Sequence, residues 1–155
     1  TAPWKHAARD WLARHGGTWL APAGGAPEDA CNTLAMDASG RAWGTSTDGE
    51  GLLAAQAEAG LGDVDPAAVV LWGGGGTLSL LRWAFPSARS YSARSGLPRK
   101  GAPDASFRPR LVVWALGASR QPGCAWPPAA WRPEAVLDLN YAPESPGRSE
   151  ERRVG

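Results

Sequence analysis

Apolar positions recur at helical spacing near the start of the chain. Trp4, Ala7, Ala8, Trp11 and Leu12 fall on one face, so residues 3–15 predict a helix. Pro3 suits its first turn and Gly16-Gly17 its end. Residues 18–29 are rich in Pro and Gly and predict a loop. Two short runs, 32–36 and 41–45, flank Asp37-Ala38-Ser39-Gly40, the pattern of a hairpin with a four-residue turn. Thr47, with Glu50 three residues on, resembles a capping box. It opens a second helix through Leu52, Leu53 and Gln56, which Gly60 closes.

The pattern then changes period. Residues 68–72 form a continuous apolar run that reads as a buried strand and enters Gly73-Gly74-Gly75-Gly76 directly. Leu78, Leu81 and Trp83 mark a following helix that stops at Pro86. "SARSYSARS", "PRLVVWALG" and "EAVLDLNY" supply three more strand candidates. Strands alternating with connectors predict an α/β fold with a parallel sheet. The final "GRSEERRVG" is polar, has no apolar period and reads as a disordered tail over residues 148–155.

Composition narrows the picture. The chain has 155 residues, one domain's worth or slightly more. Its 20 Gly and 14 Pro require many turns, and its nine Trp belong mostly in a core or a pocket wall. A net charge of +1 gives no electrostatic case for nucleic acid. No apolar run is long enough for a bilayer and no signal peptide is visible, so the expectation is a soluble, cytoplasmic protein without a membrane partner. Cys31 and Cys124 lack metal-site spacing. They either pair or stay as lone thiols, and the second reading suits a reducing compartment.

A strand that enters four glycines and then a helix is the arrangement of a phosphate cradle. Glycines let the backbone approach a pyrophosphate, and the helix start supplies N–H groups. Gly73 and Gly75 match the fingerprint G-x-G-x-x-G, whereas its last position is Leu78. The alternative is a plain flexible turn. After the next strand the chain reads "YSARSGLPRK", with Arg94, Arg99 and Lys100 and no acid. Cations suit the 2′-phosphate of NADP, where an acid would suit NAD. The alternative here is a solvated basic loop.

Several segments together resemble the shikimate dehydrogenase family. "TAPWK" resembles the end of its V-T-x-P-x-K motif, "CNTL" its A-x-N-T segment, and "GTSTDGEG" its G-x-N-T-D-G-x-G. "LWGGGGT" resembles the glycine turn G-A-G-G-A, "SARS" lies where the family has N-R-T, and "LDLNYAP" is similar to D-x-x-Y-x-P. The resemblance implies a partial α/β substrate domain over residues 1–47 and a Rossmann-like NADP-binding domain over 48–147. It implies that the start of the substrate domain and the family's closing helices lie outside this chain. The activity implied is NADP-dependent oxidoreduction between 3-dehydroshikimate and shikimate, with Lys5 and Asp48 as the catalytic pair. Implied substrate contacts are Thr1, Asn32 and Tyr141. Implied cofactor contacts are Gly73, Gly74, Gly75, Gly76, Thr77, Arg94, Ser95, Ala115, Leu116 and Leu139.

By residue type alone, Lys5 reads as a solvated lysine and Asp48 as a helix-start acid. Asn32 reads as a hairpin-edge residue and Tyr141 as a core tyrosine. The chain also departs from the family pattern. Ser46 replaces an Asn, Ala93 replaces the Asn beside Arg94, and the N-A-T loop reads Trp114-Ala115-Leu116. A non-catalytic NADP-binding relative, or one acting on quinate-like or amino-substituted substrates, therefore stands beside the first reading. So does an interaction protein that exposes Trp4, Trp11 and Trp19. The oligomeric state is left open.

Overall fold

Helix α1 spans Lys5–Arg14 and ends at the expected glycine pair. In the computed structural model, residues 4–27, 30–116 and 123–139 are described. Thr1, Pro3, Tyr141 and the polar tail lie outside the described residues. Within α1 only Leu12 is buried, while Trp4 is 68% exposed. The inward face is therefore turned from the expected stripe and includes Lys5, Ala8 and Arg9, all half-buried. Trp11 stacks on His15 instead of entering the core, with ring centroids 4.6 Å apart. Arg9 lies over the Trp19 ring at 4.3 Å, which gives that part of the helix a cation–π contact.

The chain divides into two compact units, Thr1–Val69 with Gly76–Ala88, and Val70–Gly75 with Arg89–Gly155. The first holds a three-stranded sheet in the order β1-β3-β2, made of β1 Thr18–Trp19, β2 Thr33–Met36 and β3 Ala42–Thr45. β2 and β3 form the expected antiparallel hairpin. The Asp37 carboxylate ties its turn, accepting from the Ser39 N–H at 2.9 Å, the Ser39 hydroxyl at 2.6 Å and the Arg41 N–H at 3.0 Å. β1 corrects the reading of 18–29 as loop, because it pairs in parallel with β3. A two-residue strand has no period to detect, and its Pro/Gly neighbours hide it. Gly44 lets Leu12 and Cys31 close over this sheet. A Cβ there would stand 2.7 Å from Leu12 Cδ2 and 2.9 Å from Cys31 Sγ.

Helix α2 spans Asp48–Glu58 and buries Gly49, Leu52 and Gln56. The capping box is not formed, because Thr47 makes no side-chain cap bond. Its backbone N–H instead donates to Asn32 Oδ1 at 3.0 Å. At the other end, Gln56 Nε2 donates to the Leu61 carbonyl at 2.8 Å. Helix α3 spans Leu78–Ala84, with Leu81 and the following Phe85 buried, and ends before Pro86 as expected. Trp83 of α3 packs against Gly49 of α2.

The second unit is built on β4 Val69–Gly73, of which Val69 belongs to the first unit, β5 Arg89–Tyr91, β6 Leu111–Ala115 and β7 Ala135–Asp138. They form one parallel sheet in the order β5-β4-β6-β7. The fold is thus mixed α/β with a four-stranded parallel sheet, as the alternating pattern predicts. All five residues of β4 are buried, as a central parallel strand requires. One core cluster gathers Val70, Trp72, Tyr91, Val112, Trp114 and Trp131. Trp72 stacks on Tyr91 at 5.4 Å, meets Trp131 edge-on at 5.8 Å and donates its indole N–H to the Ala125 carbonyl at 2.9 Å. No helix joins β5 to β6. Among the described residues no helix is long and apolar enough to cross a membrane.

Candidate functional site

Three segments of the first unit converge on one carboxylate. Asp48 opens α2, where the helix dipole favours a negative charge. Its Oδ2 accepts from Lys5 Nζ at 2.5 Å, and its Oδ1 accepts from Asn32 Nδ2 at 2.6 Å. Asn32 lies just before β2, and its Oδ1 accepts from the Thr47 N–H at 3.0 Å and the Thr33 hydroxyl at 2.9 Å. The Asn32 amide therefore sets the orientation of Asp48, and Asp48 sets that of Lys5. The rotated α1 makes this possible, since Lys5 is on the inward face. Its carbonyl also accepts from the Cys31 N–H at 3.0 Å, which ties α1 to the start of the hairpin.

The pair remains accessible. The Lys5 and Asp48 side chains are 27% and 29% exposed, so a reacting group can reach the ammonium. Both border a cavity of about 70 Å³, together with His6, Ser46, Thr77 and Ser79. At about 30 Å³ per water, this accommodates a hydroxyl or carbonyl end of a substrate and not a whole ring. An ammonium held by a carboxylate at such a cavity can donate a proton to an oxygen and stabilise negative charge there. Of the expected catalytic and substrate residues, Lys5, Asp48 and Asn32 are brought together. Thr1 and Tyr141 lie outside the described residues. Thr77, expected to contact cofactor, borders the Lys5 cavity. Ser46, which departs from the family's Asn, is buried and borders it too.

In the second unit the strand order reverses direction between β4 and β6. β5 lies on one side of β4, while β6 and β7 lie on the other. The carboxyl ends of β4 and β6 are then a topological switch point, where open α/β sheets form their ligand crevice. Gly73, Gly74, Ala115 and Leu116 meet here. The Gly74 N–H donates to the Ala115 carbonyl at 2.9 Å, and a Cβ at Gly73 would stand 3.0 Å from that same oxygen. Gly73, Gly74 and Gly75 have φ values of 86°, 108° and 41°, a run of positive φ that favours glycine. Leu139 joins the same strand ends through its N–H, which donates to the Trp114 carbonyl at 2.9 Å.

Arg94 and Ser95 lie in the loop after β5. Arg94 is exposed, and Ser95 Oγ accepts from the Leu97 N–H at 3.3 Å. Arg99, one of the cations the sequence places in this loop, donates from its guanidinium to the Gly73 carbonyl at 3.3 Å. Its place in the basic run 99–100 was the only sequence signal, and that run reads equally well as solvated. Gly76 and Thr77 continue from the turn toward α3.

Comparison with family models, with curated proteins and with solved structures returns no match for this chain.

Proposed function

We propose that the chain performs NADP(H)-linked oxidoreduction of the shikimate dehydrogenase kind, interconverting 3-dehydroshikimate and shikimate. The observation that carries this reading is the Lys5–Asp48 pair. The motif resemblance alone couples these two residues across 43 positions, and they form an accessible ion pair held by Asn32. On this reading the parallel sheet is a Rossmann-like nucleotide-binding half, preceded by part of a substrate domain.

The residues at the switch point fit NADP. Gly73 packs too closely on the Ala115 carbonyl for a Cβ, Arg94 and Arg99 supply cations for a 2′-phosphate, and residues 92–100 contain no acid. NADPH, when bound, supplies the hydride. Lys5 then holds the proton that the substrate oxygen needs as it becomes a hydroxyl. Asp48 fixes the direction of that ammonium, and Asn32 fixes Asp48. In the reverse direction Lys5 accepts the proton.

One observation favours a second reading, a relative that binds NADP without turnover. Trp114, where the family has an Asn, is buried in the core and stacked on Trp126, so the amide of the family pattern is missing there.

Titration with NADPH and NADH, followed by shikimate with NADP⁺ under absorbance, tests both. Saturable NADPH binding with shikimate-dependent reduction supports the first reading. Lys5→Ala is then expected to lower kcat by about 10²-fold or more with little change in KM. Binding without turnover supports the second reading. Absence of nucleotide binding overturns both.

A further inference from the structure

The second unit contains a larger cavity that none of the residues assigned to substrate or cofactor lines. The register of β6 and β7 pairs Val112 with Val136 and Trp114 with Asp138, placing all four on one face. These residues and the segment from Trp126 to Pro133 enclose about 340 Å³. That is the lower end of the size range of small-molecule sites, about 300–1,000 Å³. The lining is dominated by indole rings, prolines and Val side chains. Trp126 stacks on Trp114 with ring centroids 4.7 Å apart and an interplanar angle of 20°. Trp126 is nevertheless 62% exposed, and Val136 is 57% exposed. A large aromatic surface therefore remains uncovered at the cavity.

The cavity is bordered by one cation, Arg132, and one carboxylate, Asp138. Asp138 already interacts with another group of the chain. Arg132 makes no hydrogen bond or ion pair to the described residues, whereas Arg110 pairs with Glu134 and Arg89 with Asp104. Arg132 also has φ 42° and ψ 60°, and among the described residues it is the only non-glycine with positive φ. That left-handed conformation is uncommon for a long side chain. It follows the turn Ala129–Trp131 and borders the cavity. A fork of N–H donors is suited to a planar oxyanion, and indole faces are suited to a flat ring.

We propose that this cavity binds a small aromatic carboxylate, its ring on the exposed Trp126 indole, which Trp114 backs, and its carboxylate on Arg132. The site is independent of the NADP reading, since Ala115, Leu116 and the glycine turn do not line it.

Calorimetric titration of the full chain with 2-naphthoate and with 2-naphthamide tests it, with the indole N–H resonances followed in parallel. The expected result is one saturable naphthoate site that shifts the Trp126 and Trp114 signals, with the neutral amide about ten-fold weaker. Arg132→Gly relieves the backbone demand and Arg132→Gln keeps the side-chain length. Both are expected to bring the acid down to the affinity of the amide. Trp126→Ala is expected to weaken both ligands. Equal affinity for acid and amide, unchanged binding in both Arg132 variants, or no saturation at millimolar ligand overturns the proposal. So does ultracentrifugation that shows a second copy of the chain occupying this face, lost in Trp126→Ala and unaffected by naphthoate.

Discussion

Asp48 and Asp104 show two uses of a carboxylate. Asp48 divides its two oxygens between Lys5 and Asn32 at an accessible cavity. Asp104 instead ties a surface turn. It accepts from the Ser106 hydroxyl at 2.6 Å and the Ser106 N–H at 3.0 Å, and pairs with Arg89 at 3.0 Å. The Ser106 hydroxyl, then Arg89, pulls the Asp104 carboxyl from 3.8 down to about 2. A folded value below the ordinary one means that the stabilisation is present above pH 3.8 and is lost as pH falls from there through about 2. Carboxyl NMR is expected to show Asp104 titrating near that low value, and Ser106→Ala is expected to move its midpoint upward. An ordinary midpoint in the unmodified chain would count against the turn as described. At this scale the sequence reveals residue types but not meetings. The turn residues of Asp37 are legible because their partners are two and four positions away. The Lys5–Asp48 pair is not, because it depends on how α1 is rotated, and only the family resemblance pointed to it.

At the scale of elements, packing decides what periodicity leaves open. The apolar stripe of α1 predicts Trp4 and Trp11 inward, yet Leu12 alone is buried. The reason is the partner surface. Gly44 leaves a hollow in β3 that Leu12 fills, and a bulky indole has no comparable place there. Gly44→Ala would put a methyl against Leu12 and the Cys31 sulfur. It is expected to cost about 1–3 kcal/mol by overpacking, read as a lower midpoint in denaturant at unchanged slope. An unchanged midpoint would mean that Leu12 does not hold α1 to the sheet. The hairpin, α2, α3 and the four parallel strands were legible because each has its own period or turn residues. β1 was not, since its pairing with β3 is tertiary.

For the whole molecule, the alternation of strands and helices suffices for the α/β class, and no comparison adds a family to it. The net charge is +1 and the isoelectric point is about 7.8, while Trp4, Met36 and Trp126 each remain more than 60% exposed. Little net repulsion then opposes contact between apolar side chains of separate copies near neutral pH. Light scattering at fixed concentration is expected to peak near pH 7.8 and to fall on either side. A flat profile would show that these side chains do not drive association.

The route of the chain through its two units also governs how it can be dissected. The backbone passes from one to the other at 69–70, at 75–76 and at 88–89. No single cleavage or stop codon therefore separates them. A fragment starting at Arg89 lacks β4, the strand between β5 and β6, and leaves β5 with no neighbour in its sheet. A fragment ending at Ala88 keeps β4 but strips it of both flanking strands. Each unit can be expressed by itself only after splicing, with Val69 joined to Gly76 in one gene and Gly75 joined to Arg89 in the other.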